Sequence, residues 1–110
     1  MNAHSLDKLS DELLEEARTA PAGRAARTLH GGKDNRLRQT VIALVGGREM
    51  AEHASPGEAT IVVLEGRARL HADSLDWEGT PGDFLSIPRR RHGVEALEDS
   101  VLLLTVITNP

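Results

Sequence analysis

Five histidines, at positions 4, 30, 53, 71 and 92, are the side chains of this 110-residue chain best suited to acid–base or metal chemistry, and cysteine is absent. Without a thiol there is no disulfide, no thiolate metal site and no cysteine nucleophile. His92 directly follows Arg89-Arg90-Arg91, and three guanidinium groups at a cavity rim would draw a carboxylate or phosphate ligand. His30 opens a His-Gly-Gly segment whose backbone could serve an oxyanion, yet no Gly-x-Ser-x-Gly elbow supplies a nucleophile, so serine hydrolysis is excluded. His30 then reads as a residue at a strand end before a glycine turn. Phosphate-loop and dinucleotide-binding glycine motifs are absent, and His4 precedes the first helix in a terminal segment with no assigned role.

The bulk composition narrows the partners. A net charge of −4 and only two aromatic residues, Phe84 and Trp77, give neither a phosphate-neutralising surface nor a stacking platform, so nucleic acid is not an expected partner. No apolar run approaches the roughly 20 residues that span a bilayer, and no membrane role is expected. The first twenty residues are acidic and amphipathic, without the basic start and continuous apolar run of a signal peptide. Together with the missing cysteines, this predicts a soluble cytoplasmic protein.

The elements that must position these side chains can be read from periodicity. Leu6, Leu9, Leu13 and Ala17 recur at helical spacing, with Leu14 widening the stripe. Ser5 suits the N-cap, Asp7 the positive end of the helix dipole, and Pro21 and Gly23 stop the helix. From residue 24 the period changes to short β-rich runs separated by Gly, Pro and Asp. The expected strands are 24–29, 37–45, 49–53, 59–64, 67–71, 75–78, 83–87, 93–97 and 101–108. Gly46-Gly47 and Glu65-Gly66 read as tight turns, each joining an antiparallel pair. In Arg67 to His71 the alternation turns Ala68 and Leu70 inward and Arg67, Arg69 and His71 outward, making His71 a surface histidine. So many short strands must close into a barrel or sandwich to cover their apolar faces.

The stretch from Gly47 to Gly66, with His53 between them, resembles the first motif of the cupins: Gly, five residues, His-x-His, three or four residues, Glu, six residues, Gly. The stretch from Gly82 through Pro88 to His92 resembles the second cupin motif, with His92 one residue early and Arg90 in place of a glycine. The resemblance implies an all-β fold, a cupin-type β-barrel or jelly roll over residues 24–110, preceded by an N-terminal helical extension over residues 1–23. It also implies a pocket flanked by His53 and His92. Cupins usually hold a divalent metal, such as Zn, Fe, Mn or Ni, on two histidines and a glutamate of the first motif and one histidine of the second. Here Ser55 stands at the second histidine and Ala59 at the glutamate, and Glu58 is one residue away from it. A one-residue shift in a strand turns a side chain to the opposite face. Two imidazoles fall short of the three or four protein ligands of zinc sites, and a third would come from Gln39, Glu58, His30 or an external carboxylate.

Three functions follow from this pattern. The leading expectation is a barrel that binds a small polar molecule, anionic if the arginines engage it, through His53, His92, Gln39 and Arg90. The second is a metal-dependent enzyme, an oxygenase or isomerase of a small organic acid, with metal on His53 and His92. The third, carried by the family resemblance and the prevalence of C2 pairing, is a non-catalytic homodimeric interaction module. The motifs leave open whether the chain is an enzyme.

Overall fold

The computed structural model describes residues 1–53 and 57–108, with His53 described by its backbone. Helix α1 spans Leu6–Thr19, where the helical stripe places it. The Ser5 hydroxyl accepts the Lys8 backbone N–H at 3.3 Å, satisfying one of the orphan donors of the first turn. The helix ends at Ala20, whose extended backbone breaks the ladder, and Gly23 follows with φ +68°. Leu9, Leu13, Leu14 and Ala17 form the buried face.

The strands are β1 Arg24–His30, β2 Leu37–Leu44, β3 Glu49–His53, β4 Ala59–Glu65, β5 Ala68–Ala72, β6 Leu75–Gly79, β7 Phe84–Ser86, β8 His92–Ala96 and β9 Ser100–Ile107. They build two antiparallel sheets, ordered β1-β2-β9-β4-β7 and β3-β8-β5-β6. The barrel interior lies between the sheets and is filled from both by aliphatic residues, among them Ile42, Leu44, Val63, Leu70, Val94 and Leu102. A second apolar cluster occupies the outer face of the larger sheet, where Leu13, Leu14 and Ala17 of α1 pack on Val41, Ala43 and Val101. Strand β2 serves both clusters, with Ile42 and Leu44 inside and Val41 and Ala43 under the helix. That explains the unbroken apolar run Val41–Leu44 in a strand buried on both faces.

The two glycine turns connect sheets and do not close hairpins. Strands β2 and β3 belong to different sheets, as do β4 and β5, so the expected pairings at Gly46-Gly47 and Glu65-Gly66 are corrected to corners. Each corner is bonded to the segment joining β8 and β9. The Gly46 N–H donates to the Asp99 carboxylate at 2.9 Å, and the Arg67 N–H donates to the Ser100 hydroxyl at 3.0 Å. Asp99 also takes the Arg18 guanidinium at 3.1 Å, and the Gly46 hydrogen bond followed by Arg18 holds its carboxyl below the usual carboxylate range. One end of the barrel is thereby pinned shut by Asp99 and Ser100. The hairpin between adjacent strands of the smaller sheet is instead β5–β6, where Ala72 faces Leu75 across Asp73-Ser74 and Asp73 takes φ +53°, a backbone that Asp tolerates better than most residues.

Candidate functional site in the barrel

His92 opens β8 at the barrel end opposite the pinned corners, and its side chain is 3% exposed. It lines a cavity of about 40 Å³ with Ile42, Met50, Ala59, Ile61 and Leu104, among others, and is the one polar residue of that lining among the described residues. The ring is oriented from within its own loop: Nδ1–H donates to the Arg90 carbonyl at 3.0 Å. A carbonyl only accepts, so the neutral ring carries its proton on Nδ1 and its basic lone pair on Nε2. Directly across the sheet, the backbone of His53 in β3 is the register partner of His92. The two histidine backbones thus meet on one rung at the open end.

The other expected site residues go elsewhere. Gln39 has the parity of Val41 and Ala43 and sits on the helix side of the larger sheet, where its amide donates to Thr105 Oγ1 at 3.2 Å. It borders an outer groove with His4 and His30, and so does not reach the barrel cavity. Arg90 contributes its carbonyl to His92, while its guanidinium turns away to Asp73 at 3.3 Å. Arg89 pairs with Glu58 at 3.5 Å, and Arg91 with Glu52 at 3.9 Å. The three guanidinium groups thus diverge to three elements and do not converge as an anion cradle. Glu58 is exposed and points to Arg89, whereas the adjacent Ala59 is buried and faces the cavity. Glu58 therefore does not stand in for the inward glutamate, as strand alternation requires. Ser55 lies outside the described residues.

His71 is on the outer face of the smaller sheet, as its alternation predicts, with a side chain 38% exposed. Its Nδ1 lies 2.8 Å from Asp76, and Glu95 is 3.6 Å from Nε2. The hydrogen bond to Asp76 is the main cause that raises its pKa above the ordinary histidine value. The aliphatic wall around His92 was not anticipated as part of the site. Its signal was present in the alternation of β2, β4 and β9, whose inward residues include Ile42, Ile61 and Leu104.

A family model described as a cupin domain matches residues 40–108. The chain belongs to the cupin family. No curated protein matches it in sequence. A solved structure from Streptococcus pyogenes, described as a conserved protein of unknown function, is 28% identical with a TM-score of 0.77, covering 100% of this chain and 91% of that one. An RmlC-like cupin from Desulfovibrio desulfuricans is 26% identical with a TM-score of 0.74, covering 97% and 96%. KdgF from Halomonas sp. is 19% identical with a TM-score of 0.66 over 83% and 85%, a likeness of fold alone.

Cupins often hold a metal, and the donors among the described residues of this cupin do not fit one. Position 59 offers a methyl group where the motif has a carboxylate, position 55 is serine, and Glu58 is turned outward to an arginine. Among the described residues no group of three His, Asp or Glu side chains converges. Also among them, no helix is long and apolar enough to cross a membrane.

Proposed function

We propose that this cupin binds a small molecule through a compact polar end that enters the barrel and meets His92, with His53 on the same rung. The observation that carries this reading is a buried imidazole, fixed in orientation by its own loop, facing a cavity whose other described lining is apolar. A water needs roughly 10–15 Å³ of such space, so about 40 Å³ admits a group of only a few non-hydrogen atoms. The rest of the ligand remains at the mouth, beside Met50 and the loop carrying Arg90. An apolar wall around one polar group is a usual recipe for orientation and selectivity, because a ligand atom that misses the imidazole is left unsatisfied.

The reading is tested by thermal unfolding of untagged, chelator-treated protein against a panel of small carboxylates, alcohols and amides. A ligand at 100 times its Kd stabilises by about 2.7 kcal/mol, which for a domain of this size is a readily measured rise in Tm. The expected result is a stabilising compound whose effect disappears in His92→Leu. Absence of any stabilising compound overturns the proposal. Stabilisation that requires a stoichiometric divalent ion, and is lost in His53→Ala, overturns it in favour of the metal-dependent reading.

A further inference from the structure

The two sheets of the barrel are not bonded to each other along one seam. Among the described residues, strand β6 pairs only with β5, and β7 only with β4, so these two edges face each other without a shared ladder. They are joined at the pinned end by the turn that links them, where the Thr80 N–H donates to the Asp83 carboxylate at 2.8 Å. At the other end the seam is spanned by Arg90 of the β7–β8 loop and Asp73 of the β5–β6 turn, an exposed pair 3.3 Å apart. Between these ends lies a cleft of about 180 Å³, open to solvent. Its walls are Leu70, Ala72, Leu75, Trp77, Leu85 and Pro88. Asp76 also borders it, but its carboxylate is taken by His71 on the outer face.

We infer that this seam is a second binding site, for a neutral apolar molecule of one aromatic ring. Its size selects the occupant: an apolar space of roughly 150 Å³ accommodates benzene, whereas the cavity at His92, about 40 Å³, takes no ring. Its chemistry agrees, because a half-buried indole offers a stacking face and the remaining walls are aliphatic. Leu75 is 54% exposed, and a ring over it would remove that surface from water. Access costs no strand pairing among the described residues, since parting β6 from β7 breaks no ladder bond, and the exposed Arg90–Asp73 pair that spans the seam contributes little in water. The site is one layer removed from the His92 cavity: Leu70 of the cleft is the register partner of Val94, and Leu85 that of Ile61, both of which line the cavity.

Toluene is the probe, and the chain's single tryptophan, with no tyrosine to obscure it, is the reporter. Titration of the intact protein should shift Trp77 emission to shorter wavelength in a saturable way. Methyl NMR should show Leu75 and Leu85 moving while Leu102 and Leu104, at the His92 cavity, stay still. Ala72→Leu, which fills the cleft, should weaken binding at least tenfold. If that variant does not fold, Leu75→Asp at an exposed position should do the same. Benzoate should bind at least tenfold more weakly than toluene. The inference is overturned by no saturable shift up to the solubility of toluene, by movement of Leu102 and Leu104 in place of the cleft methyls, by undiminished binding in the folded variants, or by a preference for benzoate. Because the readout separates the two sets of methyls, its failure leaves the His92 reading untouched.

Discussion

A side chain at position 59 faces the inside of the barrel, since Ala59 is buried and lines the cavity with Ile61 and His92. Ala59→Glu would therefore place a carboxyl among aliphatic walls, and chemical denaturation should show a loss of roughly 2–4 kcal/mol for the unpaired polar group. In the cupin motif this position carries the metal-binding glutamate, so Zn²⁺ should recover part of the loss in Ala59→Glu, and His53→Ala should remove the recovery. At His71 the prediction concerns pH. Asp76, chiefly by its hydrogen bond, and then Glu95 raise the pKa of the folded imidazole. The stabilisation is thus fully present below the ordinary histidine value and is lost as pH rises through the raised one. Its size is small because the ring is substantially exposed. NMR titration should place His71 above an ordinary histidine and Asp76→Asn should bring it down, whereas an unchanged titration would discard the pairing. The sides taken by these residues were legible to different degrees for one physical reason. Strand β5 has a wet face and a dry face, so alternation alone puts Leu70 inside and His71 outside. Strand β2 is buried on both faces from Val41 to Leu44 and half-buried on both at Gln39 and Thr40, and alternation there cannot say which side is the barrel and which is the helix.

At the scale of elements, the helix and the runs that became β1 to β9 follow from periodicity and turn residues to within a residue or two, but their partners do not. Glu65-Gly66 looks locally like any tight turn, and nothing in those two residues states that β4 and β5 part company. The decision is made by β9, which claims β4 through a long ladder from Ala59↔Val106 to Glu65↔Val101 and leaves β5 to join β8. Gly66 is what allows the chain to turn there. It has φ +81°, and a Cβ would run into the Asp99 carbonyl oxygen and Ser100. Gly66→Ala combines a left-handed backbone with overpacking against main chain, and a loss of about 3 kcal/mol is expected. Gly47, at φ +87° with open space around it, lacks the second term, so Gly47→Ala should cost about 1 kcal/mol. Urea midpoints of the two variants test the difference, and equal losses would mean that the corner at Gly66 relaxes without disturbing Asp99 and Ser100.

For the whole molecule, the order of assembly is constrained by where partners lie along the chain. The longest pairing joins β2 to β9, from Leu37↔Ile107 to Leu44↔Ser100, so the larger sheet cannot form until distant parts of the chain have met. Chains dominated by such non-local pairs fold in milliseconds to seconds. Helix α1 packs its fully buried Leu13 on a surface that includes Val41 of β2 and Val101 of β9, a surface that is complete only after those strands are side by side. The helix should therefore dock late. Leu13→Ala is expected to remove about 2–4 kcal/mol of stability and to express it as faster unfolding, with the folding rate changed less than about twofold, as for a position unformed in the transition state. Leu102→Ala, inside the barrel on β9, should slow folding because it acts on the pairing that closes the sheets. Stopped-flow fluorescence of Trp77 on β6, remote from both substitutions in sequence, reports the two rates. Folding slowed by Leu13→Ala in proportion to its lost stability would instead place the helix in the nucleus, and the sheet would then assemble on it.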